Sequence, residues 1–327
     1  MWAVDMAVVV VLGLLAMAQI SMQQVLRNPL HGIMERSTNN AEPSLGVIAT
    51  SNSAEKALNA SGEFILSSTN PYIDYAGRRF FIGTIRGATV VYVKSGSLAI
   101  NVAMTTQLLL DFFISIRGIV HFGSAGTVDD SLPLGNVVVP SSIAYTGVLN
   151  WKSFGSVGGE LTFGDYNYPE KGQNLLGTIK YESLTLSSAD STQRTLWLEA
   201  NSRWLSIASQ LKDLELQQCV NPLNCLPNTP KVVFGKKASS ADTYVNNGAY
   251  REFLYKTFNV SIVDTSSAAV AMVSLTHGLP FIVFRGVSNS AGAADSGSTF
   301  SSLANSNAVA AAVEFIALVD LPHTASN

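Results

Sequence analysis

Short apolar runs alternate along the chain with longer stretches whose apolar residues recur at helical spacing. LGVIAT, Leu45 to Thr50, has the length and composition of a buried parallel strand. Ser53 to Ala60 predicts a helix after it, with Ser51 or Asn52 as the cap. RRFFIGTIRGATVVYVKSG, Arg78 to Gly96, holds two strand-like runs around Arg86-Gly87, a hairpin signal. Ile100 to Phe113 has helical spacing. GIVHFGSAG, Gly118 to Gly126, predicts a strand that ends in a glycine turn, and NVVVPSSIAYTG a further strand bent or ended by Pro140. Residues 150–190 are rich in Gly, Tyr and Ser, carry no clean period, and predict a long insertion. Thr195 to Leu211 predicts an amphipathic helix, KVVFGKKASS a strand, and NNGAYREFLYKTF a helix. SIVDTSSAAVAMVSLTHG predicts a strand running into a helix closed by Gly278. LPFIVFRGVS is the next strand, and a last apolar helix covers about 300–318. Such alternation predicts an α/β fold with a largely parallel or mixed sheet and helices on both faces. Ligand groups in these folds sit at the carboxyl ends of strands, here after Ile48, Val93, Phe122, Val233, Val263 and Phe284.

Composition narrows the class. The chain has 327 residues, 47% hydrophobic, only 13% charged, with a net charge of -3. The charged share is about half the usual one and the balance is slightly acidic, which argues against a nucleic-acid partner, since that would demand a basic face. The abundance of apolar residues argues against disorder. Met6 to Ala18 is an uncharged apolar run, too short to span a bilayer and of the right length for a signal-peptide core. Ala16-Met17-Ala18 offers a cleavage site, while the residues before the run carry Asp5 and no Lys or Arg. A cleaved secretory leader over 1–18, leaving no membrane attachment, is expected; a membrane-anchoring N-terminus is the alternative. Residues 19–44, with Pro29 and Pro43, read as a polar linker or pro-segment, 45–320 as the folded domain and 321–327 as a tail. Asn59-Ala60-Ser61 and Asn259-Val260-Ser261 are glycosylation sequons. Cys219 and Cys225, the only cysteines, have Pro222 between them and read as a loop closed by a disulfide in an oxidising compartment, or as two free thiols. No His pair has metal-ligand spacing, no phosphate loop or nucleophile elbow is present, and neither a metal nor a cofactor is expected.

Four segments, in order and each at an expected strand end, carry a resemblance. KSG at 94–96, GSAG at 123–126, VDTSSAAVA at 263–271 and RGVSNSAG at 285–292 resemble the signature stretches of the nucleoside phosphorylase and nucleosidase superfamily. The likeness covers roughly 45–320 and implies a three-layer phosphorylase-like fold with a mixed, twisted central sheet. Within the superfamily the leader and the altered site resemble the bark storage and wound-inducible vegetative storage proteins of trees such as poplar. That implies a nitrogen reserve held in a storage vacuole. RNPLHG, Arg27 to Gly32, is similar to a vacuolar sorting determinant, or is ordinary linker. The superfamily commonly assembles as dimers, trimers or hexamers, so a homo-oligomer is implied.

The resemblance also implies roles at the site. Cleaving a purine–ribose bond needs an acid at the departing base, a clamp on the ribose hydroxyls, and an activated water or a bound phosphate. The acid is an Asp in the family's R-x-x-S-D segment; the matching residue is Asn289, an amide that can bind a purine edge but has no proton to deliver at neutral pH. The ribose clamp, M-E in the family, is matched by Thr265 and Ser266. The water-activating Glu is matched by Ser53, with Glu55 expected to point elsewhere on its helix. A ribose or phosphate cradle would draw on Ser95, Gly96, Gly123 and Ser124, and a family Arg is matched by His121. The base-stacking loop survives as ADTYVNN: Asp242 would orient it, Tyr244 would stack on the purine, and the Val245 backbone would meet the base edge. A storage protein with degenerate catalytic positions and residual purine binding is therefore expected. The alternative is a phosphorylase or nucleosidase acting on 6-oxopurine nucleosides, with a purine nucleoside and phosphate as partners.

Overall fold

The structure, a computed structural model, describes residues 44–153, 156–162, 178–187, 190–293 and 300–320. The expected leader, the polar segment after it as far as residue 43, the tail at 321–327 and the middle of the 150–190 insertion lie outside the described residues.

Thirteen strands form one mixed sheet. They are β1 (Ser44–Ala49), β2 (Phe64–Leu66), β3 (Tyr72–Tyr75), β4 (Arg78–Ile85), β5 (Ala88–Lys94), β6 (Ile116–Thr127), β7 (Val137–Val138), β8 (Ser142–Tyr145), β9 (Trp197–Glu199), β10 (Val232–Val233), β11 (Lys237–Ser240), β12 (Ile262–Asp264) and β13 (Phe281–Ser290). The order across the sheet is β9-β8-β11-β12-β6-β1-β5-β4-β2, with β13 beside β6 and β7. The central pairs β5-β1, β1-β6 and β6-β13 are parallel, and β12 runs antiparallel to β6. All six residues of β1 are buried, as a strand covered on both faces requires.

The described residues hold six α-helices: α1 (Asn52–Ser61), α2 (Ala99–Phe112), α3 (Ser202–Ala208), α4 (Gly248–Phe258), α5 (Ser267–Thr276) and α6 (Ser301–Asp320). Residues of α1, α3 and α6 pack into one apolar core and those of α2 and α5 into another, with sheet residues between them. This is the three-layer arrangement expected. α6 is long and apolar enough to cross a membrane, but most of it is buried in the first core. Ser51 caps α1 by accepting from Ala54 N at 3.2 Å, and the β4-β5 hairpin turns at Arg86 and Gly87, both at positive φ.

Three expectations change. GSAG is not a turn, because β6 runs on as a strand to Thr127, held by β13 on one side and β12 at its end. Thr195 to Leu211 is not one helix: Trp197–Glu199 pairs with β8 as an edge strand, and the helix starts only after Asn201, whose side chain accepts from Trp204 N at 3.0 Å. KVVFGKKASS is two strands, broken at Gly235 with φ 73°. Within the insertion, Leu149–Trp151, Leu161–Thr162 and Thr178–Tyr181 form a small sheet. Tyr181 stacks on Phe253 of α4 and meets Phe258 edge-on. Cys219 and Cys225 are joined by a disulfide across a short hairpin.

Candidate functional site

The carboxyl ends of β1, β6, β12 and β13 surround a cavity of about 240 Å³. Its wall includes Thr50, Ser51, Ser97, Ser124, Asp264 and Ser266, together with Tyr244, Val245, Ser288 and Asn289. No Lys, Arg or His is among these wall residues. A wider hollow of about 660 Å³ beside the β3-β4 hairpin is lined by charges that pair with one another, Lys94 with Glu55 at 2.6 Å and Arg79 with Asp74 at 2.6 Å.

Below the cavity lies Arg285, the largest side chain with no exposure. Its position on β13 faces Gly123 on β6, and a Cβ at Gly123 would come within 2.7 Å of Arg285 Nη1 and 2.4 Å of Thr50 Oγ1. Glycine is thus needed there to admit the guanidinium. Arg285 Nε donates to Asp264 Oδ2 at 3.2 Å and lies 3.0 Å from Ser267 Oγ, and Nη2 donates one of its two hydrogens to Ser266 Oγ at 2.6 Å. A charge this deep persists only when paired, and Asp264 supplies the pair.

Asp264 has no acceptor to spare. It receives Ser266 N and Ser267 N at 2.8 Å each, Ser240 Oγ at 3.0 Å and Ser267 Oγ at 2.5 Å, besides Arg285. It thereby satisfies the first N–H groups of α5. Burial alone would raise its pKa, but the Arg285 charge and the Ser266 and Ser267 donors hold it below the ordinary carboxylate value.

His121 completes the network. Its Nδ1 lies 2.9 Å from the Ile48 carbonyl oxygen, which can only accept, so Nδ1 carries the proton. Nε2 then accepts from Arg285 Nη2 at 2.7 Å and lies 3.2 Å from Ser266 Oγ. Burial, and then the Arg285 charge, push its pKa down to about 3, so it is a neutral imidazole of one tautomer.

The structure gathers some of the expected residues and separates others. Thr265, Ser266, Ser124, Tyr244, Val245 and Asn289 all reach the cavity. Ser53 is exposed in the first turn of α1 and is not on the wall, where Thr50 and Ser51 stand instead. Glu55 pairs with Lys94. Ser95 is buried with its hydroxyl against the Ala49 and Gly96 carbonyl oxygens, Gly96 has φ 79°, and it is Ser97 that faces the cavity. His121 and Gly123 lie beneath the wall rather than in it. Asp242 accepts from Ala99 N at 2.7 Å, which ties the Tyr244 loop to the first turn of α2, where Leu98 provides no side-chain cap. Asp264, Arg285 and Ser288 were not among the expected site residues. The signal for two of them was present: an arginine inside an apolar strand run demands a carboxylate partner, and Asp264 ends the facing strand-to-helix segment. Among the described residues, no three His, Cys, Asp or Glu side chains converge as a metal site.

The sequence profile of the phosphorylase superfamily matches residues 45–320. Bark storage proteins B and A of Populus deltoides are each 45% identical to the chain over 312 residues, which is 94% of this chain and 99% of each relative. The chain belongs to the bark storage proteins of the phosphorylase superfamily. A 5'-methylthioadenosine/S-adenosylhomocysteine nucleosidase of Listeria innocua is 24% identical over 69% of this chain and 80% of its own. Among solved structures, the corresponding nucleosidase of S. pneumoniae, held with a transition-state inhibitor, matches with a TM-score of 0.59 at 20% identity, over 85% of this chain and all of that one. Futalosine hydrolase of Helicobacter pylori matches with a TM-score of 0.55 at 15% identity, over 85% of this chain and 97% of that one. These two likenesses concern the fold.

Proposed function

We propose that the chain is a vegetative nitrogen-storage protein whose cavity keeps purine recognition but lacks the acid for glycosidic cleavage. The observation that carries this reading is the state of Asp264. Among the described residues it is the one carboxylate on the cavity wall, and its five donors leave it neither a proton to give nor a lone pair for ribose. Ser266, at the ribose-clamp position, is likewise taken up by Arg285. Where the acid would stand there is the amide of Asn289. Base recognition keeps more of its parts: Tyr244 at the rim, 72% exposed, can stack on a ring, and Val245 and Asn289 offer polar groups to its edge. The cavity is smaller than sites built for drug-sized ligands and suits a base or a compact nucleoside.

The relatives named as bark storage proteins support the storage role. Phosphorolysis of 6-oxopurine nucleosides is less well supported, because the wall has no cation for phosphate and His121 has both nitrogens engaged. The apolar leader, the disulfide, and the exposure of Asn59 and Asn259 at both sequons support passage through the secretory pathway to a storage vacuole, with glycans at those asparagines. A homo-oligomer remains part of the reading, on the family's habit.

The full chain, purified and incubated with 5'-methylthioadenosine or inosine, with and without phosphate, is expected to release no base above the blank by chromatography. Turnover at ordinary enzyme rates, roughly 1 s⁻¹ or more, would sink the storage reading. Asn289→Asp combined with Ser266→Glu is expected to raise hydrolysis of 5'-methylthioadenosine by about a hundredfold, the usual worth of a placed general acid.

A further inference from the structure

β13 carries a bulge between Val287 and Asn289 where it pairs with β6. The bulge sets Ser288 and Asn289 side by side on the cavity wall. Ser288 Oγ lies 3.1 Å from the Ala125 carbonyl oxygen and 2.9 Å from Asn289 Oδ1. A serine hydroxyl has one hydrogen, so with the amide oxygen turned to Ser288 one of these two oxygen–oxygen contacts has no hydrogen in it. Turning the amide end for end removes the conflict. Ser288 then donates to Ala125, Asn289 Nδ2 donates to Ser288 Oγ, and both contacts carry a hydrogen. The two ends of an amide are nearly equal in size.

We infer that Ser288 holds the Asn289 amide with its oxygen toward the cavity, so that the cavity selects a 6-aminopurine over a 6-oxopurine. The inference rests on the purine-binding reading above and assigns its base class. Adenine presents an N6–H donor beside the N7 acceptor. Asn289 Oδ1 accepts from the first and the second N–H of Nδ2 reaches the other, the same two-point match by which asparagine reads adenine in a DNA groove. A 6-oxopurine presents two acceptors there, O6 and N7. O6 would face the amide oxygen with no hydrogen between them, and turning the amide to suit it would restore the conflict at Ser288 and Ala125. Ser288 is therefore a positioning residue: it touches the amide and sets which atom the ligand meets.

The test is calorimetric titration of the full chain with adenine and with hypoxanthine, for wild type, Ser288→Ala and Ser288→Thr. Wild type is expected to bind adenine about tenfold or more tightly than hypoxanthine, the cost of facing one buried acceptor with another. Ser288→Ala frees the amide to turn and should shrink that ratio several-fold, while Ser288→Thr, which keeps the hydroxyl, should retain it. A thermal melt of each variant separates this from loss of the fold, which would weaken both bases alike. Equal or tighter binding of hypoxanthine by wild type, or a ratio unmoved by Ser288→Ala, overturns the inference. If neither base binds, the purine reading fails and the base preference falls with it. The amide orientation is then decided by itself, from the NMR side-chain amide of Asn289, assigned by its loss in Asn289→Asp. Contacts from its amide protons to the Ser288 β-protons support the orientation, and contacts only to the Tyr244 ring oppose it.

Discussion

Arg285 and Asp264 form a buried ion pair, and Ser266, Ser267 and His121 are arranged around it. The guanidinium is fully buried, and among the described residues Asp264 is the carboxylate it pairs with. Replacing a buried pair by apolar residues can be neutral, but removing one member leaves a bare charge. Arg285→Met is therefore expected to cost about 3–5 kcal/mol, read as a lower midpoint in chemical denaturation at neutral pH. Asp264→Asn together with Arg285→Met should recover much of it, and a double variant no better than the single one would show that the pair is not coupled. The same network occupies the carboxylate on the cavity wall. Asp264 is spent on capping α5 and neutralising Arg285.

At the level of elements, the site depends on how closely α6 lies on β13. A Cβ at Gly286 would fall 1.9 Å from the Ala304 carbonyl oxygen, which belongs to the helix backbone and cannot turn away. Gly286→Ala should push α6 off the strand that carries Arg285, Ser288 and Asn289, at a cost of roughly 1–3 kcal/mol or more. Differential scanning calorimetry would register it as a lower Tm; an unchanged Tm would mean that α6 adjusts freely. The loop that brings Tyr244 to the cavity is fastened in another way, by Asp242 at the start of α2. The loop that carries Tyr244 and the helix beyond the KSG segment are thus tied to each other at Asp242.

Over the whole molecule, pH acts through His121 before it acts through the carboxylates. The folded chain keeps His121 neutral down to about pH 3, whereas an unfolded chain protonates it near its ordinary value of 6.5. Between those values the unfolded state binds the extra proton, so folding stability present above 6.5 is lost as pH falls, by about 1.4 kcal/mol per pH unit. Asp129 shifts the opposite end. Burial would raise its pKa, but Ser131, Lys236 and Ser261 bring it down to about 2, so its contribution is lost only below the ordinary 3.8. Denaturation midpoints should fall steadily from pH 7 to pH 4.5 in wild type. They should fall less steeply in His121→Asn, which keeps a donor for Ile48 without the titrating ring; equal slopes would remove His121 as the cause. The sequence by itself determined the main alternation of strands and helices, most of the strand ends at which a cavity could form, and the segments that mark the superfamily. Apolar period, caps and turn residues are local, and LGVIAT or the Asn247 cap of α4 means the same in any surroundings. Tertiary structure alone decided what those local signals left open. GSAG stays a strand because β13 and β12 flank it, and Trp197–Glu199 is a strand because β8 offers an open edge. The one carboxylate on the cavity wall among the described residues is Asp264, turned to Arg285. The cost of an unpaired buried charge or donor is settled only between partners far apart in the chain, and no local pattern records who those partners are.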